Sequence, residues 1–238
     1  MTAFFRFPHT PHLAWFGQGT PRDDKVLSAS EADEFLAHTL VLEEKVDGAN
    51  LGFSVASNGE LRAQNRGQYL SRPFTGQFAR LNAWLAIHEE ALFDALGESL
   101  MLFGEWVAAV HSLEYPGLPD YFLVFDVYDK KVQRFWNTAR RNAFAFRLGM
   151  CHIHQVGTGH YQLDALRQML AKTPSTYRIG SCEGIYLRQE DEDWLLARAK
   201  LVHPDFAQGI GEHWRSRSLR WNKLAGDKVL AYAANHKA

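Results

Sequence analysis

The chain has 238 residues, 46% of them hydrophobic and 22% charged, with a formal net charge of −1. These proportions belong to a soluble globular protein with enough chain to bury a sizeable core. So even a charge balance excludes a globally basic nucleic-acid binder, and any polynucleotide partner has to be met by a local cationic patch. The only cysteines, Cys151 and Cys182, make no disulfide framework and point to a reducing cytoplasm. The opening residues hold no apolar run long enough for a signal peptide or a membrane helix.

Residues 1–30 are crowded with aromatics, prolines and glycines, among them Phe4, Phe5, Phe7, Pro8, Pro11, Trp15 and Phe16. They read as an irregular packed arm. Ser30 with Glu31 and Glu34 predicts a helix start, with Phe35, Leu36 and Leu40 on the apolar side. A strand follows through Leu42. Strand-like runs over residues 49–56 and 61–66 then flank Asn58-Gly59, a hairpin signal in which both turn residues are expected at positive φ.

Residues 78–96 place Phe78, Leu81, Trp84, Leu85, Leu92, Phe93 and Leu96 at helical spacing, and Gly97 stops the run. Residues 100–110 and 121–128 read as buried strands across a loop at Pro116-Gly117. Thr138 is expected to cap a helix over residues 140–148, and a shorter helix over 163–171 ends before Pro174. Residues 183–188 and 194–201 predict a second hairpin around the acidic loop 190–193, with a helical tail after Pro204. The expected fold is α+β: antiparallel strands with helices packed outside, in one domain over residues 1–238.

The chemistry centres on Glu43-Glu44-Lys45-Val46-Asp47-Gly48. A lysine with the usual pKa near 10.4 is a free amine in only about one molecule in a thousand at neutral pH. A nucleophilic lysine therefore needs neighbours that lower its pKa. Taken alone, Lys-x-Asp-Gly is a weak signal and suits a surface turn equally well. Further segments change its weight: Asn65-Arg66-Gly67, Phe103-Gly104-Glu105-Trp106, Val124-Phe125-Asp126-Val127-Tyr128, Glu183-Gly184-Ile185-Tyr186-Leu187 and Arg198-Ala199-Lys200. Each sets a charge into an apolar, strand-like run, and a buried charge is costly unless paired or used.

In order, these segments resemble the nucleotidyltransferase motifs of the covalent nucleotidyltransferases, the superfamily of ATP-dependent DNA and RNA ligases and messenger-RNA capping enzymes. The likeness is strongest to phage-type ATP-dependent RNA ligases and spans about residues 40–206. It implies an antiparallel-sheet nucleotidyltransferase domain, ATP-grasp-like, of the ligase adenylation type. It also implies a reaction: Lys45 attacks the α-phosphate of ATP and carries AMP as a phosphoramidate. AMP then passes to an RNA 5′-phosphate, and a 3′-hydroxyl displaces it.

The resemblance also implies roles for the other residues. Lys200 and Arg198 would sit on the α-phosphate and lower the pKa of Lys45. Glu105 would face the ribose and Glu183 a divalent metal, Mg²⁺ or Mn²⁺, with Glu105 as a second metal carboxylate. Arg66 would meet ribose or phosphates, and Phe125 would stack on adenine. Glu44, Asp47 and Gly48 would belong to the nucleotide site, Asp47 by orienting Lys45 or an arginine.

Two features depart from the family pattern. Arg198 stands where a lysine is usual, and a guanidinium is no direct substitute for an ammonium. Only 38 residues follow Lys200, too few for the OB-fold domain of DNA ligases and capping enzymes, which favours RNA ends. The expected partner is RNA with 5′-phosphate and 3′-hydroxyl ends, served by a cytoplasmic monomer in RNA repair beside an end-healing kinase or phosphatase. Alternatives are a capping-like or DNA-end nucleotidyltransferase and a catalytically idle RNA-end-binding module.

RNA contacts are sought in the tail His213-Trp214-Arg215-Ser216-Arg217-Ser218-Leu219-Arg220-Trp221-Asn222-Lys223, whose cations and aromatics interleave. An amphipathic helix packed on the core accounts for that tail equally well. The second place is the loop 111–120, through Tyr115. Cys151-His152-Ile153-His154 with His160 matches no usual zinc spacing and is expected to be structural.

Overall fold

The computed structural model describes residues 4–17, 21, 25–208 and 218–226. Two antiparallel sheets form the body. One has strand order β7-β1-β8-β9, built from Gln155–Gly159, Leu40–Lys45, Gly184–Glu190 and Leu195–Val202. The other has order β3-β2-β4-β5-β6, built from Leu61–Gln64, Ala49–Val55, Leu100–Trp106, Phe122–Asp129 and Arg134–Phe135. Helices α1 (Ala29–Leu36), α2 (Leu81–Leu96), α3 (Thr138–Arg147), α4 (Leu163–Lys172) and α5 (Pro204–Gln208) complete the regular elements. The expected α+β class with antiparallel strands is what the chain forms.

Side-chain alternation along the strands divides the residues into layers. On the first sheet, Leu40, Leu42, Ile185, Leu187, Ala199 and Leu201 form a core with Phe35 of α1 and Leu166 and Leu170 of α4. On the second, Leu51, Phe53, Leu102, Phe122 and Val124 pack with Leu81, Trp84 and Leu85 of α2 and Phe144 of α3. The intervening positions of both sheets hold the charges and several phenylalanines. The chain crosses from one sheet to the other between Lys45 and Ala49. Gly48 is required there: a Cβ would lie 2.7 Å from the Trp106 carbonyl oxygen and 2.9 Å from Val107.

Several local expectations change in detail. Ser28, not Ser30, caps α1, in a reciprocal capping box with Glu31, and Leu40 begins β1 instead of extending the helix. Asn137, one residue before Thr138, caps α3 by accepting from the Arg140 N–H at 2.8 Å. The Asn58-Gly59 hairpin forms, but only Gly59 has positive φ, at 77°. Its Ala56–Gly59 turn bond and closing Ala56–Glu60 bond define a three-residue loop with a left-handed last residue, so Asn58 keeps a negative φ.

The tail differs more. Helix α5 ends at Gln208, residues 209–217 lie outside the described ones, and residues 218–224 run extended over the loop after β4. Asn222, 1% exposed, accepts from the Tyr115 N–H at 2.8 Å and donates to the Val107 carbonyl at 2.8 Å. Trp221 lies under the Arg80 guanidinium, 4.5 Å from ring centre to charge. Tyr115, sought as a substrate contact, is 1% exposed and its hydroxyl accepts from the Asp47 N–H at 2.8 Å. The loop is therefore a structural clamp at that residue. Cys151, His152 and His154 precede β7, His160 follows it and meets the Thr39 hydroxyl, and no group of three metal-ligating side chains occurs among the described residues.

A buried ionic network ties the sheets together. Glu43 of β1 takes Arg141 of α3 through contacts of 2.5 and 3.1 Å. Arg188 of β8 reaches Asp126 of β5 at 2.8 Å and Glu190 at 2.6 Å, and Asp126 also holds Arg198 of β9. Arg141 is fully buried and donates to the Phe125 carbonyl at 2.7 Å. Removing one partner of such a pair strands the other charge. We expect Arg141→Met to lower the unfolding free energy by about 3–5 kcal/mol in denaturant titrations, and Glu43→Gln added to it to restore part of the loss.

Candidate active site

Lys45 is the last residue of β1, and its register partner on β8 is Gly184. Alternation sends Glu43 and Lys45 toward the space between the sheets and Glu44 to the opposite face. Glu183, one residue before β8, receives the Lys45 ammonium on both oxygens, at 2.7 and 2.6 Å. Tyr186 lies beside it, the ammonium 5.9 Å from the ring centre.

Burial lowers the pKa of Lys45, but Glu183, Tyr186 and Glu105 outweigh it and hold the amine above its ordinary value. This reverses the expected direction, in which Arg198 and Lys200 depress it. The reason is geometric. Arg198 pairs with Asp126 and lies 4.3 Å from the Phe135 ring centre, and Lys200 acts on Glu183. The lysine faces carboxylates.

Between the sheets lies a narrow cavity. The first sheet contributes Glu43, Tyr186, Arg188 and Arg198, and the second contributes Asn50, Glu105, Phe125 and Asp126. Arg66, just past β3, and Phe7 and Thr10 of the arm close it. Asn50 and Glu105 are register partners on β2 and β4, which puts them side by side.

Burial is the main cause raising Glu105, to about 8, with Glu183 and Asp47 adding to it and Lys45 and Arg66 opposing. Glu183 is raised by burial against the pull of Lys45. Arg66 Nε and Asn50 Oδ1 are buried with no hydrogen-bond partner among the described residues. A buried donor and a buried acceptor left unmade on the protein side suit a polar ligand in the cavity.

Of the expected residues, Arg66, Glu105, Phe125 and Arg198 line the cavity, Lys45, Glu183 and Lys200 cluster beside it, and Glu44, Asp47 and Gly48 lie elsewhere. Glu44 points away, its carboxylate accepting from the Ser175 hydroxyl at 2.6 Å and the Thr176 N–H at 2.9 Å. Among the described residues Asp47 bonds neither Lys45 nor an arginine. It accepts the N–H groups of Ser112 and Leu113 at 2.6 and 2.9 Å and so anchors the loop after β4. Gly48 serves the close crossing described above.

Glu43, Asn50, Asp126, Arg188 and Tyr186 join the cavity without a role assigned from sequence. Period-two alternation from Lys45 marks Glu43, and cross-strand pairing with Glu43 marks Tyr186. Phe7 carries no such signal. For a divalent metal, Glu105 and Glu183 are the carboxylates near Lys45. Two carboxylates fit Mg²⁺ or Mn²⁺, which complete octahedral sites with water and phosphate oxygens, and fit poorly with an all-protein cage.

A second, open groove of about 1130 Å³ runs beside this centre. Its walls include Asn65 and Gln68, which flank Arg66 and Gly67, together with Tyr69, Arg72, His111 and Arg220. His111 and Ser112 connect it to Asp47 and the crossing after Lys45. No helix among the described residues is long and apolar enough to cross a membrane.

The family model described as RNA ligase matches residues 38–202. No curated protein matches the chain. Solved structures of the Naegleria gruberi RNA ligase do. A variant with ATP and Mn has a TM-score of 0.61 at 16% identity, covering 74% of this chain and 53% of that one. The same ligase with PPi has a TM-score of 0.61 at 16% identity, covering 90% and 65%. Another variant, with AMP and Mn, has a TM-score of 0.55 at 16% identity, covering 74% and 53%. This chain therefore spans between half and two-thirds of the length of those ligases, and at that identity the likeness is one of fold. The motif-bearing strands from β1 to β9 all fall inside the matched region, and the chain belongs to the RNA ligase family.

Proposed function

We propose that this protein is an ATP-dependent RNA ligase of the AMP-forming type, joining 5′-phosphate and 3′-hydroxyl RNA ends through AMP carried on Lys45. The observation that carries this reading is the placement of Lys45. It is a half-buried lysine at the end of β1, beside the cavity between the sheets, paired to Glu183 and flanked by Glu105 and Tyr186. The Naegleria gruberi ligase structures with ATP, AMP and Mn support ATP and a divalent metal as the ligands.

In the first step Lys45 must lose a proton, and Glu183, which receives its ammonium on both oxygens, is the carboxylate in contact to take it. The Nζ–P bond to the α-phosphorus forms as the P–O bond to pyrophosphate breaks. In the second, an oxygen of the RNA 5′-phosphate attacks the same phosphorus, and Lys45 leaves with its proton restored. In the third, the 3′-hydroxyl attacks the 5′-phosphorus, AMP leaves, and the hydroxyl proton is lost to solvent or AMP. A divalent cation at Glu105 and Glu183 would supply charge neutralisation at the phosphates.

Phe125 offers a ring face to the base, and Asn50 and Arg66 offer the ribose an unmet acceptor and an unmet donor. Lys200, placed to act on Glu183, would meet the α-phosphate. The open groove past Arg66 is the proposed path of the RNA strand, where Tyr69 gives a stacking surface and Arg72 and Arg220 give cations. A role in RNA repair, as a cytoplasmic monomer working after an end-healing kinase or phosphatase, completes the proposal.

Incubation with labelled ATP and Mg²⁺ or Mn²⁺ is expected to label the protein on Lys45, and Lys45→Ala should abolish both the adduct and sealing of 5′-phosphate RNA. A GMP adduct without an AMP adduct would instead indicate capping-type chemistry. Because Lys45 is held protonated, the rate of adduct formation is expected to rise with pH across the neutral range. Glu183→Gln removes the strongest raising partner, so the Lys45 pKa should fall, and reaction with an amine reagent in the ligand-free protein should speed up at fixed pH.

A further inference from the structure

Residues 4–14 form a strap that is fastened to both sheets. At one end the Gln64 side-chain amide, on β3, donates to the Phe5 carbonyl at 2.8 Å. At the other, the Leu13 N–H donates to the Lys200 carbonyl and the Lys200 N–H to the Pro11 carbonyl, both at 2.9 Å. β9 is the edge strand of its sheet, so this second fastening is a short backbone pairing that extends it. The first fastening is that side-chain hydrogen bond together with ring packing, the Phe5 ring lying 4.3 Å from Tyr128 and 5.8 Å from Phe103, centre to centre.

Between the two ends the strap passes over the cavity, and Phe7 and Thr10, each 3% exposed, line it. The Phe7 ring lies 5.4 Å from Phe125 and 4.9 Å from Phe103, centre to centre. The Arg198 guanidinium stands 5.0 Å from the Phe7 ring centre and is held by Asp126. Arg198 is thus directed away from the Lys45 ammonium, toward the strap. Two aromatic rings and a guanidinium at the end of the cavity away from the lysine offer a π face and N–H donors. Those are the groups that a purine, flat and rich in ring-nitrogen acceptors, would use.

The space left beneath the strap is about 40 Å³, room for roughly three waters at ~10–15 Å³ each. A nucleotide needs on the order of several hundred Å³. The strap is a wall without regular secondary structure, and its Phe5 end is held by side-chain contacts where the other end is held by backbone pairing. We propose that it is the movable wall of the nucleotide site: it lifts at the Phe5–Gln64 end to admit a purine nucleotide and closes with Phe7 and Arg198 against the base. This rests on the reading of the cavity as the ATP site.

The test separates nucleotide binding from chemistry by measuring equilibrium ATP binding in a Lys45→Ala background. Adding Phe7→Ala should weaken ATP binding about tenfold, the value of one stacked base, and Phe7→Trp should restore it. Gln64→Ala should quicken both association and release of ATP. Backbone amides of residues 5–10 should exchange more slowly with solvent when ATP is bound to the unmutated protein, a readout that needs no variant to fold. Unchanged exchange there, or ATP affinity within twofold after Phe7→Ala in a folded protein, overturns the strap. If ATP protects the strap but no nucleotide ever becomes attached to Lys45, the ligase reading fails and the strap stands.

Discussion

The structure depends on how charge is accommodated between two sheets. Each sheet has its own apolar core on its outer face, so neither needs the other for hydrophobic burial. Buried ion pairs join their inner faces: Glu43 with Arg141, which also holds the Phe125 carbonyl, and Asp126 with Arg188 and Arg198, while Lys45 with Glu183 is a pair within the first sheet. Such pairs cost desolvation, and replacing them with apolar residues is often neutral or better for stability. A fold that keeps several of them side by side between its sheets is using them for position or for chemistry.

The pairs divide along the cavity. At the Asp126 end both carboxylate oxygens have an arginine, and burial is answered by fixed geometry. At the Lys45 end the balance is loose: Glu105 and Glu183 both sit above their ordinary range and share one lysine and the pull of more distant cations. Loose charge balance next to a half-buried lysine is where a phosphate and a cation can change the state of every group at once. The rigid end then acts as the support that keeps β1, β5 and β8 in register while the other end reacts.

The same division shows why the loop after β4 matters to a lysine it does not touch. Asp47 and Tyr115 fasten the crossing after Lys45 to that loop, and Asn222 fastens the loop from the other side. The tail segment 218–224 is therefore part of the scaffold that aims Lys45, and its cation–aromatic contacts at Trp221 are internal. The interleaved sequence that suggested RNA contact is accounted for by packing at Trp221 and Asn222, while Arg220 faces the open groove.

Much of this was legible in the sequence. Period-two and period-3.6 patterns located the helices and most of the strands, because those signals are local, but the strand expected over 100–110 stops at Trp106, the helix expected over 78–96 starts at Leu81, and β6 carried no signal. The spaced motifs marked Lys45, Glu105, Glu183 and Lys200 as candidates, because lone charges in apolar strands are costly unless a site uses them, and the fold makes them neighbours. Which carboxylate meets which cation was not legible. Glu43 and Glu44 are adjacent and chemically alike, yet strand alternation sends one to the cavity and the other to Ser175. Arg198 belongs with Asp126, 72 residues away in the chain, and Phe7 reaches the cavity only because the arm crosses between sheets. Residue type and spacing determined what chemistry is present; only the three-dimensional pairing of distant strands decided its direction, since the pKa of Lys45 depends on charges that no local pattern can place.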